Sequence, residues 1–234
     1  ILMTITGDQS LLREINRMAI VRAVQRQPGL SRADLAKETG LTKSTIGLLV
    51  QDLVDEGWLC ESDIQATGAI GRRPTPLFID GMRMAMIGAD VSLDRLNVLA
   101  VSLLGEVLDE VSEPLSSNRP EEVILRLAAL MAAQAGRVRA AGRRLLGAGV
   151  GVPGAVLDRH GTVKLAPNFA WRDVAFLDCL KRELAALGVK DLRLQVQNDY
   201  DIAALGEHEF GEAPLPDPLV YLGLGVGVGA GVIV

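Results

Sequence analysis

The sequence predicts an α/β protein in two parts, a small helical domain over residues 1–80 and a larger mixed domain over 81–234. Three observations carry this. Residues 31–40 and 42–57 each run from a capping hydroxyl through helically spaced apolar residues to a glycine. From residue 84 onward short alternating runs replace that pattern, as in strands. Hydrophobic content is 49% with only 3% aromatic, so the core is built from Leu, Val, Ile and Ala, with enough apolar material for a stable globule rather than disorder.

The first helix is expected over 11–26, with Leu12, Ile15, Ala19, Ala23 and Val24 inward and Arg13, Arg17, Arg22 and Arg26 on other faces. Pro28-Gly29 stops it. Ser31 starts a second helix, with Asp34 completing a box-like cap, and Leu35 and Ala36 facing inward. Gly40 ends it as a left-handed residue would. Thr42 caps a third helix reaching about Glu56, with an apolar stripe of Ile46, Leu49, Val50, Leu53 and Val54. Gly57 closes it, and Trp58-Leu59 begin a strand.

Short helix, glycine turn, longer helix is the helix-turn-helix layout. Its third helix would enter a major groove with Lys43, Ser44, Thr45 and Leu48 leading and Gln51 one turn on. Arg32 suits a phosphate contact. A second strand, Leu77-Phe78-Ile79, makes the form winged. The Arg72-Arg73 pair, held between Gly71 and Pro74, suits a narrow minor groove, the alternative being a flexible basic linker with no groove contact. Net charge over the chain is −5, and residues 1–80 carry 9 Lys/Arg against 10 Asp/Glu, a balance of 9 − 10 = −1. Any DNA contact therefore rests on local geometry, not on bulk charge.

In the second domain strands are expected over 84–90, 96–101, 106–111 and 145–152, with an amphipathic helix over 120–139. Cys60 and Cys179 are distant and lack CxxC spacing, which fits a reducing cytoplasm better than a disulfide-held secreted fold. Residues 1–6 show no signal peptide. No 18-residue uncharged apolar run is visible, so no membrane partner is expected and the location expected is cytoplasmic.

The second domain carries an ordered set of motifs. Asp90 ends its first strand. Gly151-Val152-Pro153-Gly154 and Ala166-Pro167-Asn168-Phe169-Ala170-Trp171 follow. Gln197-Asn198-Asp199-Tyr200 precedes Ala203-Ala204-Leu205-Gly206-Glu207, and glycines then alternate from Gly223 to Gly231. Together these resemble the ROK family (repressors, open reading frames, kinases). With a winged helix-turn-helix ahead, they resemble its repressor branch of xylose- and N-acetylglucosamine-type regulators. The resemblance implies an actin-like, RNase H-like ATPase fold with a sugar in the interdomain cleft. Carried onto this chain, it lets the backbone at Gly154 approach the sugar and has Asn168, Asn198 and Asp199 hydrogen-bond its hydroxyls. In the kinase members the aspartate matching Asp199 is the general base. The bland reading of Asn198-Asp199 is a helix N-cap with no ligand.

Phosphate loops need glycines so that backbone N–H groups can wrap the phosphates. The kinases of the resembled family have Asp-x-Gly-Gly-Thr, whereas this chain has Asp90-Val91-Ser92-Leu93-Asp94. Both glycines are missing, and Asp94 adds negative charge where phosphates would lie. Gly223, Gly225, Gly227 and Gly229 remain, but Leu224 stands where the kinases carry Thr. These glycines would serve close strand packing alone. No catalytic residue is therefore assigned.

The expectation is a sugar-responsive DNA-binding regulator, a repressor, whose partners are operator DNA and a monosaccharide or sugar-phosphate effector, assembled as a homodimer or homotetramer. Its rivals are an ATP-dependent sugar kinase with an accessory N-terminal domain, and a DNA-bound scaffold without ligand. The C-terminal part of the resembled fold is expected to lie beyond Val234, and with it any structural zinc. No cofactor or metal is expected within this chain, and His160 and His208 read as surface residues.

Overall fold

The computed structural model describes residues 9–62, 75–157, 160–211, 218–224 and 227–234. The chain forms two compact units, Ile1–Met84 and Ala85–Val234.

The first unit comprises α1 (Gln9–Arg26), α2 (Arg32–Thr39), α3 (Lys43–Asp55), β1 (Leu59–Glu61) and β2 (Leu77–Ile79). Its helix ends follow from local chemistry. The Ser31 hydroxyl accepts from the Asp34 amide, and the Asp34 carboxylate accepts from the Ser31 amide, a reciprocal capping box. Gly40 leaves α2 at φ 72°, open to any side chain sterically but not conformationally. The Thr42 hydroxyl accepts from the Thr45 amide at 3.2 Å and starts α3. Strands β1 and β2 pair antiparallel, with Leu59 opposite Ile79. On its other edge β2 binds the residues after α1, through Gly29 N to Leu77 O at 2.8 Å and Leu77 N to Leu30 O at 3.0 Å. Ile20, Val24, Leu35, Ile46, Val50, Leu53, Leu59 and Leu77 are sealed from solvent inside.

The inward face of α1 differs from expectation. Ala23 and Val24 are buried, but Leu12 and Ile15 are each 54% exposed and Ala19 is exposed. Arg17 is buried instead, beside Ile20. Its guanidinium donates to both carboxylate oxygens of Glu56 at the end of α3. Apolar residues lie nearly all round α1, so their spacing permits several faces, and the bidentate ion pair with α3 selects one.

The second unit holds a five-stranded sheet in the order β10-β6-β3-β4-β5. Its strands are β3 (Met84–Val91), β4 (Arg95–Ser102), β5 (Val107–Pro114), β6 (Arg144–Val152) and β10 (Leu194–Asn198). The first three form an antiparallel meander, and β10 pairs parallel to β6. Helices α4 (Pro120–Ala140) and α5 (Phe176–Ala186) pack against each other, α4 also on β4 and β6 and α5 on β10. Ile87, Val98, Leu127, Met131, Val150, Phe176 and Val196 form the shared core.

Between β6 and α5 lies a small antiparallel sheet of β7 (Ala155–Leu157), β8 (Thr162–Ala166) and β9 (Trp171–Val174), with a 3₁₀ turn, Pro167–Phe169, between β8 and β9. After β10 comes α6 (Asp199–Phe210), then the hairpin β11 (Leu219–Leu224) and β12 (Val228–Ile233). The sequence reading had no counterpart for α5 or for β7–β9. Among the described residues, no helix is long and apolar enough to cross a membrane. No group of three or more His, Cys, Asp or Glu is placed among them to hold a metal ion.

Candidate functional site

Two surfaces carry chemistry, one in each unit. In the first, the N-terminal end of α3 presents Lys43 and Ser44 to solvent with Thr45 half-buried behind them. The Thr42 hydroxyl lies 2.9 Å from that of Ser44 and 2.8 Å from that of Thr45. No acidic residue occupies the first turn, so the positive end of the helix dipole is reinforced by Lys43. One turn on, Leu48 is 71% exposed, an apolar side chain standing out on a polar face. The Gln51 amide donates to Asp55 at 2.8 Å and remains exposed. This edge can meet phosphates with its amides and Lys43, and base edges with hydroxyls and Leu48.

Arg32, expected on a phosphate, is ion-paired with Glu61 on β1. One nitrogen of its fork joins α2 to the wing, so the guanidinium is partly engaged where a phosphate contact was expected. Arg72 and Arg73 lie outside the described residues.

The second surface is a cleft of about 460 Å³. It gathers the first turn, Ser92 to Asp94, with Gly154, Asn168, Asn198, Asp199 and the segment Gly227 to Gly229. All four residues expected to hold a sugar therefore line one cavity, although 45 positions separate the first from the last.

Asn168 is carried on the exposed 3₁₀ turn, and aromatic anchors hold that turn. Phe169 and Trp171 are 2% exposed, with ring centroids 4.7 Å apart, and Phe176 continues the stack. The Trp171 indole donates to the carbonyl of Asn118 at 2.6 Å. The amide of Asn168 thus projects from a rigid base.

Asp199 opens α6 at the floor of the cleft. Burial pushes its carboxyl above the usual carboxylate range, against the Tyr200 amide hydrogen bond, and the charge of Asp90 adds to the upward push. The two acids flank Gly151, where a Cβ would stand 3.5 Å from the Asp199 Cα and 3.7 Å from an Asp90 oxygen. Asp90 itself is held by the Ser92 hydroxyl and by the Asn97 amide at 3.3 Å.

Two of the residues expected at the sugar also carry structural duties. At Gly154, φ is 101°, and an added Cβ would run into the Leu165 carbonyl and lie 2.8 Å from the Ala166 Cα. The packing of the 153–154 turn on β8 therefore requires the glycine by itself, while the residue also lines the cleft. Asn198 is the N-cap of α6. Its carbonyl oxygen accepts from the amides of Tyr200 at 2.9 Å and Asp201 at 3.1 Å, and its NH₂ donates to the Gly154 carbonyl at 2.8 Å. Only one side-chain N–H of Asn198 remains to face the cleft. Asn198 is thus first a clamp that ties α6 to the Gly154 turn.

Tyr200 was quoted with its neighbours but given no role. Its ring packs directly on Gly223 and Gly229, which are paired across β11 and β12. A Cβ on either glycine would fall within the ring atoms. At Gly231 a Cβ would lie 2.7 Å from the Ala204 Cβ on α6. Among the described glycines of this segment, Gly227, with the Asn168 amide 3.9 Å from its would-be Cβ, opens on the cleft with room to spare. The signal in the sequence was the every-second spacing of the glycines, which puts Gly223, Gly229 and Gly231 on one face of the hairpin.

Comparison with known proteins agrees with this architecture. Residues 86–234 match the ROK family and residues 13–59 match a winged helix-turn-helix DNA-binding domain. A xylose repressor of Caldicellulosiruptor bescii is 30% identical over 229 residues, covering 97% of this chain and 56% of that protein. The xylose repressor of Bacillus subtilis is 27% identical, covering 97% and 57%. The chain thus spans just over half the length of these relatives. Among solved structures, a ROK family transcriptional regulator described as a homologue of the Escherichia coli MLC protein shares the fold. The TM-score is 0.76 at 23% identity, over 95% of this chain and 55% of that one. A ROK family glucokinase from Streptomyces griseus, solved with glucose and AMPPNP, is similar to the second unit at 29% identity and TM-score 0.53, over 64% of this chain and 44% of that one. With a winged helix-turn-helix ahead of an actin-like kinase-fold unit, this chain belongs to the ROK family.

Proposed function

We propose that this chain is the DNA-reading and ligand-sensing part of a sugar-responsive transcriptional repressor. One observation carries the reading. The cleft collects hydrogen-bonding side chains suited to hydroxyls, while the first of the two segments used for phosphates in kinases is not free for that task. The first turn, Ser92 to Asp94, has side chains and a carboxylate in place of glycines. Phosphoryl transfer needs both segments to hold the nucleotide, so the protein binds without catalysing. The names of its relatives among xylose repressors point the same way.

In this reading Lys43, Ser44, Thr45 and Leu48 read the major groove, and Gln51 follows once its bond to Asp55 opens. Arg72 and Arg73 reach the adjacent minor groove. Asn168 and Asp199 hold ligand hydroxyls, with Asn198 and Gly154 fixing Asp199 between them. The protein acts in the cytoplasm as a homodimer or homotetramer on paired half-sites. Ligand and DNA affinities then change one another by the same factor.

The test is fluorescence anisotropy of the full-length protein on DNA from its own promoter, titrated with monosaccharides. One sugar should shift DNA affinity several-fold, and Asn168→Ala should erase the shift with DNA binding intact. Specific DNA binding that no sugar alters would favour a scaffold instead. ATP turnover abolished by Asp199→Asn would establish the kinase reading.

A further inference from the structure

The cleft's charge is one-sided. Thirteen described residues line it, and the charged ones are Asp94 and Asp199; no Lys, Arg or His is among them. Asp90 stands just behind Gly151, held by Ser92 and Asn97, and adds a third carboxylate close to the floor. Asp94 is solvent-exposed at the tip of the β3–β4 turn, and it sits where the first turn meets the cavity.

Hydrogen-bond polarity points the same way. Ionised carboxylates only accept, so Asp94 and Asp199 ask for O–H or N–H donors from a ligand. A sugar hydroxyl supplies both a donor and an acceptor. A phosphate monoester near neutral pH carries roughly −1.5 to −2 charges and presents acceptor oxygens. Among the described residues lining this cleft it would find two carboxylates and no cation. The side-chain donors there are all neutral: the amides of Asn168 and Asn198, the second of which already spends one N–H on Gly154, and the hydroxyls of Tyr200 and Ser92, the latter given to Asp90.

We propose that the cleft is a charge filter that admits a neutral polyhydroxyl ligand and rejects its phosphorylated form, with Asp94 setting the discrimination. This rests on the sensor reading above and narrows its effector to unphosphorylated sugars. Asp199 grips a hydroxyl at the floor, and Asp94 faces whatever substituent extends toward the first turn. Because Asp94 is exposed, added salt weakens its part of the filter, while that of the half-buried Asp199 persists.

The test is calorimetric titration of the full-length protein with matched pairs: glucose and glucose 6-phosphate, xylose and xylose 5-phosphate, and N-acetylglucosamine and its 6-phosphate. Asp94→Asn runs in parallel, with thermal unfolding as the check on folding. One neutral sugar should bind, and its phosphate should bind at least about tenfold more weakly. Asp94→Asn should narrow that ratio severalfold, and so should high salt. A phosphorylated sugar that binds as tightly as its parent or tighter overturns the filter but leaves the sensor reading standing. A ratio unchanged in a folded Asp94→Asn protein removes Asp94 from its role. Binding of neither class would overturn the sensor reading and the filter with it.

Discussion

The ring of Tyr200 lies on the Gly223–Gly229 cross-strand pair, so that the first turn of α6 and the β11–β12 hairpin share one packed surface. Asp199, the cleft's floor, is the residue next to Tyr200, and Gly227 to Gly229 form its far wall. The relationship makes one face of these two glycines a seat for an aromatic ring.

Gly229→Ala should therefore destabilise the second unit by about 1–3 kcal/mol, the usual cost of overpacking. Gly227→Ala, where a Cβ meets nothing closer than 3.9 Å, should stay within about 0.5 kcal/mol of the parent. Thermal unfolding of the two variants checks the contrast. In a Tyr200→Ala background the added Gly229→Ala should cost less than it does in the parent, since the clash is then gone. A Gly229→Ala protein as stable as its parent would remove Tyr200 from the glycine face.

Asn198→Ala should cost about 1–2 kcal/mol through loss of the α6 cap. Asn198→Asp keeps the oxygen that receives the Tyr200 and Asp201 amides but loses the donor to Gly154. It should fall between the parent and Asn198→Ala in urea unfolding. Equal stabilities for all three would mean that the clamp contributes nothing.

Asp199 titrates above the usual carboxylate range because burial disfavours its charged form, with Asp90 adding to the effect. Between the unfolded and folded pKa values the native state then holds more protons than the unfolded chain. Stability from this group is highest below the unfolded value, falls as pH rises through the folded value, and stays lost at neutral pH. Asp199→Asn removes that penalty. The variant should be at least as stable as the parent at pH 7, with its advantage shrinking as pH drops into the carboxylate range. Melting curves from acid to neutral pH decide this, and an advantage that grows toward acid would reverse the sign.

Lys43→Ala should weaken DNA binding nearly uniformly across sequences and lower the salt slope by about one. Leu48→Ala should leave stability unchanged, since the side chain is 71% exposed, yet lower affinity for the cognate site more than for random DNA. Anisotropy at two salt concentrations separates these effects. Parent-like binding by both variants would take the groove-reading role away from α3.

Much of the first unit was legible because its signals are local. Ser31, Asp34, Gly40 and Thr42 act on amides within a few residues, so they fix where α2 and α3 begin and end whatever surrounds them. The stripe Ile46, Leu49, Val50 and Leu53 is buried as its spacing required. The ordered motifs of the second unit likewise marked the residues that line one cleft. What the chain order could not decide were partnerships between distant residues. Arg17 turns its face of α1 inward because Glu56 waits at the end of α3, and Arg32 is drawn to Glu61 across the wing. Gly154 is glycine for the sake of Ala166, and Gly223 and Gly229 for the sake of Tyr200. Asn198 turned out to bind the protein's own backbone first. Spacing states which residues share a helix face or strand face, because backbone periodicity is intrinsic to the chain. Which atoms fill the space beside a glycine, or which acid takes an arginine, depends on packing between elements that only the folded chain brings together.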